Sequence, residues 1–317
     1  MPDNYNLPIL NTVAFDSSVN EVMGKTQSIF NPTMQAYPVP MGSESKTWNL
    51  GGESEDAIAQ TSRFGDTLYQ DIAFQKRSFN RATWKVKAIP IDKNEVKSIN
   101  FTPESHYVKA MARKLNKKRN DVFLDKFEED VIVTNVLGDD GSTSNSTVTF
   151  ASGNIIAPTF GNSGTNIGLT VAKLDELLRL AEVNDLIGDE FEQEYGYNLK
   201  MIVPESQANL LYANARTSSK DYSHFFKFDE TRGKITGYRS ISFVSFSSGI
   251  KQYTSTDTIL KLYAWHPEAF IYDPERVTNY ATSNIETKEY NSQVYSEMDY
   301  NVMRVREECA FRVDCKA

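Results

Sequence analysis

TPESHYVKAMARKLNKKRNDVFLDKFEEDV, residues 102–131, is the stretch that organises the chain. Thr102 stands where a helix cap belongs and Pro103 takes the first helical position. Glu104 in the first turn faces the positive end of the helix dipole. No Gly or Pro follows until Gly138. Tyr107, Met111 and Leu115 are spaced by four, and Val122, Phe123 and Phe127 continue the apolar pattern. A helix over 103–131 would be about 44 Å long at 1.5 Å per residue, about twice the length of an ordinary globular helix. Such an element is a spine.

Upstream of it the texture differs. Residues 1 to 40 show little periodicity and are punctuated by Pro8, Pro32, Pro38 and Pro40. An arm ordered by a neighbour and a floppy tail both read this way. From Gly42 to Asp92, Trp48 and Leu50 precede the polar run Gly51-Gly52-Glu53-Ser54-Glu55-Asp56. The chain resumes through Phe74 to Ile89, where Thr83, Lys85 and Lys87 alternate with Ala82, Trp84, Val86 and Ala88. That is the period of a half-buried strand. The pattern predicts a long two-stranded ribbon, and an isolated hairpin is marginal in water, so it needs a partner elsewhere.

Downstream, residues 138–168 are rich in Gly, Ser, Asn and Thr and read as a hairpin or flexible excursion, with Thr147–Phe150 as a short strand. Thr170 precedes an amphipathic helix carrying Leu174, Leu177, Leu178 and Ala181. Leu199–Val203 reads as a strand, Pro204 opens a helix with Leu210 and Leu211, and 233–246 reads as strand and turn. Thr258–Trp265 is a further strand ending at His266-Pro267. Mixed this way, 170–265 form an α/β or α+β unit. At the end, Cys309, Phe311, Val313 and Cys315 alternate with Ala310, Arg312, Asp314 and Lys316, so the chain stops inside a sheet.

The 317 residues suffice for about two folding units or one with a large excursion. With 18 Phe, 16 Tyr and 3 Trp, disorder throughout is excluded. No run reaches the roughly 18 apolar residues of a membrane span, and the start lacks the pattern of a signal peptide, so a soluble, unexported chain is expected. Thirty-four basic against 42 acidic residues leave a net charge of −8, which argues against a dedicated DNA-binding protein. Cys309 and Cys315 sit about 20 Å apart if the strand is extended, too far for a disulfide, and are read as reduced thiols.

Motifs for chemistry are scarce. His106, His224 and His266 are not within ligand spacing of one another, and HExxH, CxxC and GxSxG do not occur. Gly161-Asn162-Ser163-Gly164 lacks the Lys-Ser/Thr of a phosphate loop, and Asp139-Asp140-Gly141-Ser142 lacks the rest of a calcium loop. No catalytic, cofactor or metal residue is assigned. Lys109, Arg113, Lys114, Lys117, Lys118 and Arg119 form a basic run on the long helix. It reads as a solvated face, as one pairing with carboxylates of a neighbouring chain, or as a nucleic-acid contact. Trp48 and Trp84 flank the ribbon, either as its anchors or as ordinary apolar contacts.

Arm, charged ribbon, spine helix, central α/β unit and β ending together resemble the major capsid proteins of tailed bacteriophages, which have the Hong Kong ninety-seven capsid fold. Three stretches carry the likeness: Thr102–Ile132 with Arg119-Asn120-Asp121-Val122-Phe123-Leu124 inside it, Asn198–Leu211 with Val203-Pro204, and Gly233-Lys234-Ile235-Thr236-Gly237-Tyr238. The ending from Met303-Arg304-Val305-Arg306 to Cys315 is also similar. The resemblance implies an α+β fold with an N-terminal arm (1–40), an extended β-ribbon loop (41–95), a peripheral domain with the spine helix (96–168), an axial α/β domain (169–273) and a return to the peripheral sheet (274–317).

It also implies a structural, non-enzymatic subunit that assembles as hexamers and pentamers into an icosahedral virion shell, with portal and scaffolding proteins as partners. Double-stranded DNA inside would be touched weakly and non-specifically, and no membrane is involved. On that reading Trp48, Lys76, Arg77, Arg81, Trp84 and Lys85 are candidate contacts between subunits, and the basic run from Lys109 to Arg119 faces a neighbour or the lumen. Some family members crosslink Lys to Asn; Lys76, Lys85 and Lys87 are conceivable donors, no acceptor stands out, and noncovalent assembly is expected. Two alternatives stand beside this: an encapsulin-like nanocompartment, and a hydrolase or carbohydrate-binding protein with an unrecognised site.

Overall fold

The apolar row becomes the buried side of a 25-residue helix, α1, Pro103–Phe127, about 37 Å long. Met111, Leu115, Phe123 and Phe127 repeat at multiples of four and are at most 2% exposed. The computed structural model describes residues 29–40, 42–51, 74–87, 89–91, 103–137, 142–162, 164–186, 198–217, 225–229, 234–246, 259–274, 276–285 and 291–317. The helix ends four residues before the expected 131. Glu128, Glu129 and Asp130 would place three carboxylates at its negative end. Arg304 instead donates from Nη1 to the Phe127 carbonyl at 2.6 Å, supplying a cation and a donor where both are needed.

Around the buried side of α1 lies an aromatic core. Phe127 stacks on Tyr263 with centroids 4.2 Å apart, and Phe123 stacks on Phe30 at 4.6 Å. Trp265 and Phe270 close the cluster against Phe123 at 5.0 and 5.3 Å. Phe30 belongs to the expected arm, and Gln35–Ala36 pairs in parallel with Phe270–Tyr272. Residues 29–40 of the expected arm thus pack on the body, where Phe30 is fully buried. Residues 1–28 lie outside the described residues.

The ribbon is wider than expected. Ser45–Gly51 pairs antiparallel with Phe74–Asn80 over seven residues without a register shift. Phe74–Asn80 also pairs with Val131–Leu137, which pairs with Ser142–Val148, giving a four-stranded antiparallel sheet. So the partner of the ribbon root is the hairpin that follows α1 in the same chain. The expected continuous strand over 74–89 is broken at Arg81-Ala82. Its second part, Thr83–Lys85, joins Asn291–Asp299 and Arg276–Ile285 in another sheet. The break occurs where the Arg81 N–H bonds to the Glu44 carbonyl and the Ala82 carbonyl accepts from Tyr300, which turns the chain between sheets.

The central unit is a mixed seven-stranded sheet in the order Phe226–Asp229, Lys234–Tyr238, Ile241–Val244, Leu199–Ile202, Ile259–Trp265, Ala310–Lys316, Ile155–Ile156. Two further helices, α2 (Val171–Val183) and α3 (Glu205–Thr217), pack on it. Thr170 occupies the N-cap position of α2, but its hydroxyl makes no capping bond. The final strand runs antiparallel to Ile259–Trp265 over seven residue pairs. Strands from both sides of the boundary expected at residue 273 thus share one sheet. Cys309 and Cys315 are both free and buried. Burial pushes the Cys315 thiol up to about 12 and raises that of Cys309 further. The mixture of helices and sheets is the α+β class expected.

Candidate assembly surface

Alternation on Phe74–Asn80 decides what the ribbon root presents. Arg77 and Phe79 point inward, with 1% and 0% exposure, while Lys76 and Ser78 point outward. Arg77 makes a two-pronged bond to Glu307, Nη1 to Oε1 at 2.7 Å and Nη2 to Oε2 at 2.8 Å, and Nη1 also reaches the Arg304 carbonyl at 3.2 Å. A planar fork on a carboxylate is the strongest geometry available to such a pair. Arg304, fully buried, approaches the same carboxylate at 3.4 Å. Burial lowers the Arg304 pKa, and the Glu307 charge opposes that shift. Two guanidiniums and one carboxylate therefore lock the ribbon root to the segment before the last strand.

This corrects one expectation. The Arg77 side chain is enclosed by its own chain, which argues against the expected contact with another subunit. Arg81 is also largely committed: its Nη2 donates to the carbonyls of Val39 and Pro40 at 3.1 Å each, and Nε lies 3.8 Å from Asp273. Trp48 is half-buried edge-on to Tyr37 at 4.9 Å, and the half-buried Trp84 donates from Nε1 to the Tyr300 carbonyl at 2.9 Å. Both tryptophans anchor the ribbon within the chain while keeping an accessible part. Lys76 is exposed, and Lys85 is exposed beside Glu297 at 3.4 Å.

The basic run splits the same way. Arg119 is fully buried. It falls on the row Met111, Leu115, Arg119, Phe123, Phe127, so helical geometry takes it inward; its place on an outward basic face is corrected. Arg113, Lys114 and Lys117 are exposed. Lys118 is half-buried with Nζ 3.9 Å from the centre of the Trp84 ring, a cation–π contact. The side chain of Lys109 lies outside the described residues, as does that of His106. Next to Trp84 opens a cavity of 480 Å³, lined by Asn80–Ala82, Lys126, Glu129–Ile132 and Asn301–Arg304 among others. Ile132 at its edge is 68% exposed.

Sequence reasoning missed Glu307, Arg304 and Asp273, since nothing periodic marks them. A second omission is Lys173, fully buried, whose ammonium donates to the carbonyls of Pro158, Ile167 and Asp314 at 3.1, 3.0 and 2.7 Å. Desolvation lowers its pKa. It ties α2 to the last strand and the preceding loop. His266 ends its strand as expected, with Nδ1 accepting from the Glu268 N–H at 3.3 Å. Among the described residues no group of His, Cys, Asp and Glu could hold a metal ion, and no helix is long and apolar enough to cross a membrane.

The order of elements, with a ribbon rooted beside a spine helix and a mixed sheet behind it, is that of the Hong Kong ninety-seven capsid fold. The structure superposes on the head protein of Helicobacter pylori bacteriophage KHP40 with a TM-score of 0.64 at 9% identity, covering 92% of each chain. On the capsid of cyanophage P-SCSP1u the score is 0.60 at 12% identity, covering 91% of this chain and 88% of the other. The capsid of Ralstonia phage GP4 gives 0.60 at 8% identity, with 90% and 87% covered. No curated protein matches the chain. The family model for phage capsid proteins matches residues 10–317, and the chain belongs to that family. It is a structural subunit of a virion capsid that associates with copies of itself.

Proposed function

We propose that this chain is the major head subunit of a tailed phage, assembling as hexamers and pentamers into an icosahedral shell around double-stranded DNA and performing no catalysis. The family match across residues 10–317 carries the reading. A portal and a scaffolding protein are its expected partners in assembly. Weak, non-specific contact with the packaged DNA suits a subunit of net charge −8, since a densely basic wall would hold DNA back from ejection. Closed symmetry sums many weak interfaces into a stable particle, so no single contact needs to be strong.

Negative-stain microscopy of the purified protein at high concentration tests this. Closed shells are expected, and a protein that stays monomeric at every concentration, with scaffold supplied, overturns the reading. A second variant addresses the ribbon: residues 52–73 replaced by an Asn-Gly turn. Because Ser45–Gly51 and Phe74–Asn80 remain paired and Arg77 remains bound to Glu307, that subunit is expected to stay folded and soluble yet form no shells. Normal shells from it would remove the ribbon tip from assembly.

A further inference from the structure

In the seven-stranded sheet Lys227 stands opposite Gly237, Gly237 opposite Ser242, and Ser242 opposite Lys200. Residues opposite one another in paired strands share a face, so these four make one row across the sheet. Three strand spacings put the two lysine backbones about 14 Å apart. Only a glycine and a serine stand between them, which leaves a trough with a cation at each end. Lys227 is on Phe226–Asp229, the edge strand among the described residues, and could turn into water. Its Cδ instead lies 3.5 Å from where a Cβ on Gly237 would be, so its stem runs inward along the row. Lys200 is half-buried, and burial together with the Lys227 charge lowers its pKa. The two ammoniums converge.

Among the described residues neither Lys200 nor Lys227 forms an ion pair or donates a side-chain hydrogen bond, and the Ser242 hydroxyl donates none. Other lysines behave differently. Lys234 holds Glu205, Lys261 holds Glu128, and the Lys173 ammonium is ringed by carbonyls. Two like charges drawn together, one of them half out of water, cost free energy unless an anion sits between them. An unanswered cationic pair is also unexpected in a chain of net charge −8, where carboxylates outnumber cations. We propose that Lys200, Lys227 and Ser242 form a binding site for a single phosphate group. Lysine binds phosphate as a point charge, and the hydroxyl between the two supplies a neutral donor. The site is read from the subunit alone and stands apart from the shell reading. Two sources supply its chemistry, a nucleic-acid backbone and free inorganic phosphate.

The first test adds inorganic phosphate to the purified subunit, against sodium chloride of equal ionic strength, and follows melting. The parent should melt several degrees higher in phosphate, because a ligand of the folded state stabilises it. Lys200→Gln and Lys227→Gln should not respond, whereas Lys200→Arg and Lys227→Arg, which keep the charge, should. A rise that survives both Gln substitutions together, or that chloride reproduces, counts as none. In phosphate-free buffer Lys227→Gln should melt no lower than the parent, since the repulsion on Lys200 is gone. A lower melt would make the Lys227 stem a packing element and overturn the proposal.

Duplex DNA of random sequence carrying a fluorescent label separates the two sources, with anisotropy as the readout. A backbone phosphate in the site predicts about tenfold weaker binding at about 0.1 M salt when Lys200→Gln and Lys227→Gln are combined. The log–log salt slope should then flatten by about two, one for each lysine lost. A lysine-dependent rise in melting with equal DNA binding by parent and variant assigns the site to free phosphate. Absence of both, the lysine-dependent melt and the lysine-dependent affinity for DNA, refutes it.

Discussion

Arg77 and Arg119 are charged residues that residue type alone would place outside, and both are enclosed. Their positions were legible. Arg77 shares strand parity with Phe79, and Arg119 shares the helical row of Met111, Leu115, Phe123 and Phe127. A charged head argues for the surface, but a buried arginine needs only enough acceptors at its far end. Breaking the Arg77–Glu307 fork should be costly for the same reason. Arg77→Ala is expected to lower the stability of the subunit by about 3 kcal/mol, the lower end for a severed buried pair. Arg304 still stands by Glu307 and limits the loss. Urea denaturation checks this, and a change under 1 kcal/mol would mean that the ribbon root is held by packing alone.

Glu128 offers a pH signature at this scale. Burial pushes its carboxyl up, but the hydrogen bond from Lys261, the charges of Arg312 and Lys261, and the Tyr263 hydroxyl together hold it below the usual 4.5. A depressed carboxyl contributes stability above its unfolded pKa and loses it as pH falls through the folded one. Asp314, nearby, is raised by burial and so works in the opposite sense. Glu128→Gln should therefore melt below the parent at pH 7, with the gap closing as pH drops under 4.5. Melting curves across that range decide it; a gap that stays constant would assign the effect to shape rather than charge.

Among elements, the hairpin Lys234–Tyr238 with Ile241–Val244 shows why one glycine is required. A Cβ on Gly237 would lie 2.6 Å from the Ile241 carbonyl oxygen, a backbone atom that cannot step aside alone. Gly237→Ala is expected to destabilise the subunit by about 1–3 kcal/mol, seen as a lower melting temperature with unchanged helix content. An unaltered melt would mean that the strand shifts freely. At the same scale, α1, the α2 row of Leu174 and Leu177, and the strand before Pro204 were readable because an amphipathic period is set by local geometry. Strand partners were not. Nothing in Phe74–Asn80 announces that Val131–Leu137, more than fifty residues later, lies beside it.

For the whole molecule, a net charge of −8 on every copy predicts salt dependence, because like-charged subunits repel. The screening length falls from about 10 Å at 0.1 M to about 3 Å at 1 M salt. Shell formation followed by light scattering should quicken several-fold across that range, and an unchanged rate would place assembly on apolar contact.

By itself the amino-acid sequence determined the spine helix, the acidic character, the lack of recognisable catalytic motifs and the sequential order that resembles a capsid subunit. These follow from composition and from periods of two and 3.6 residues, which depend only on neighbours along the chain. The tertiary structure alone decided that Phe30 and the arm's end enter the core, that the ribbon root is one strand of four, and that Glu307 receives Arg77. Each joins residues remote in sequence. Such pairings are selected by packing and by the cost of an unpaired buried charge, which no local pattern encodes.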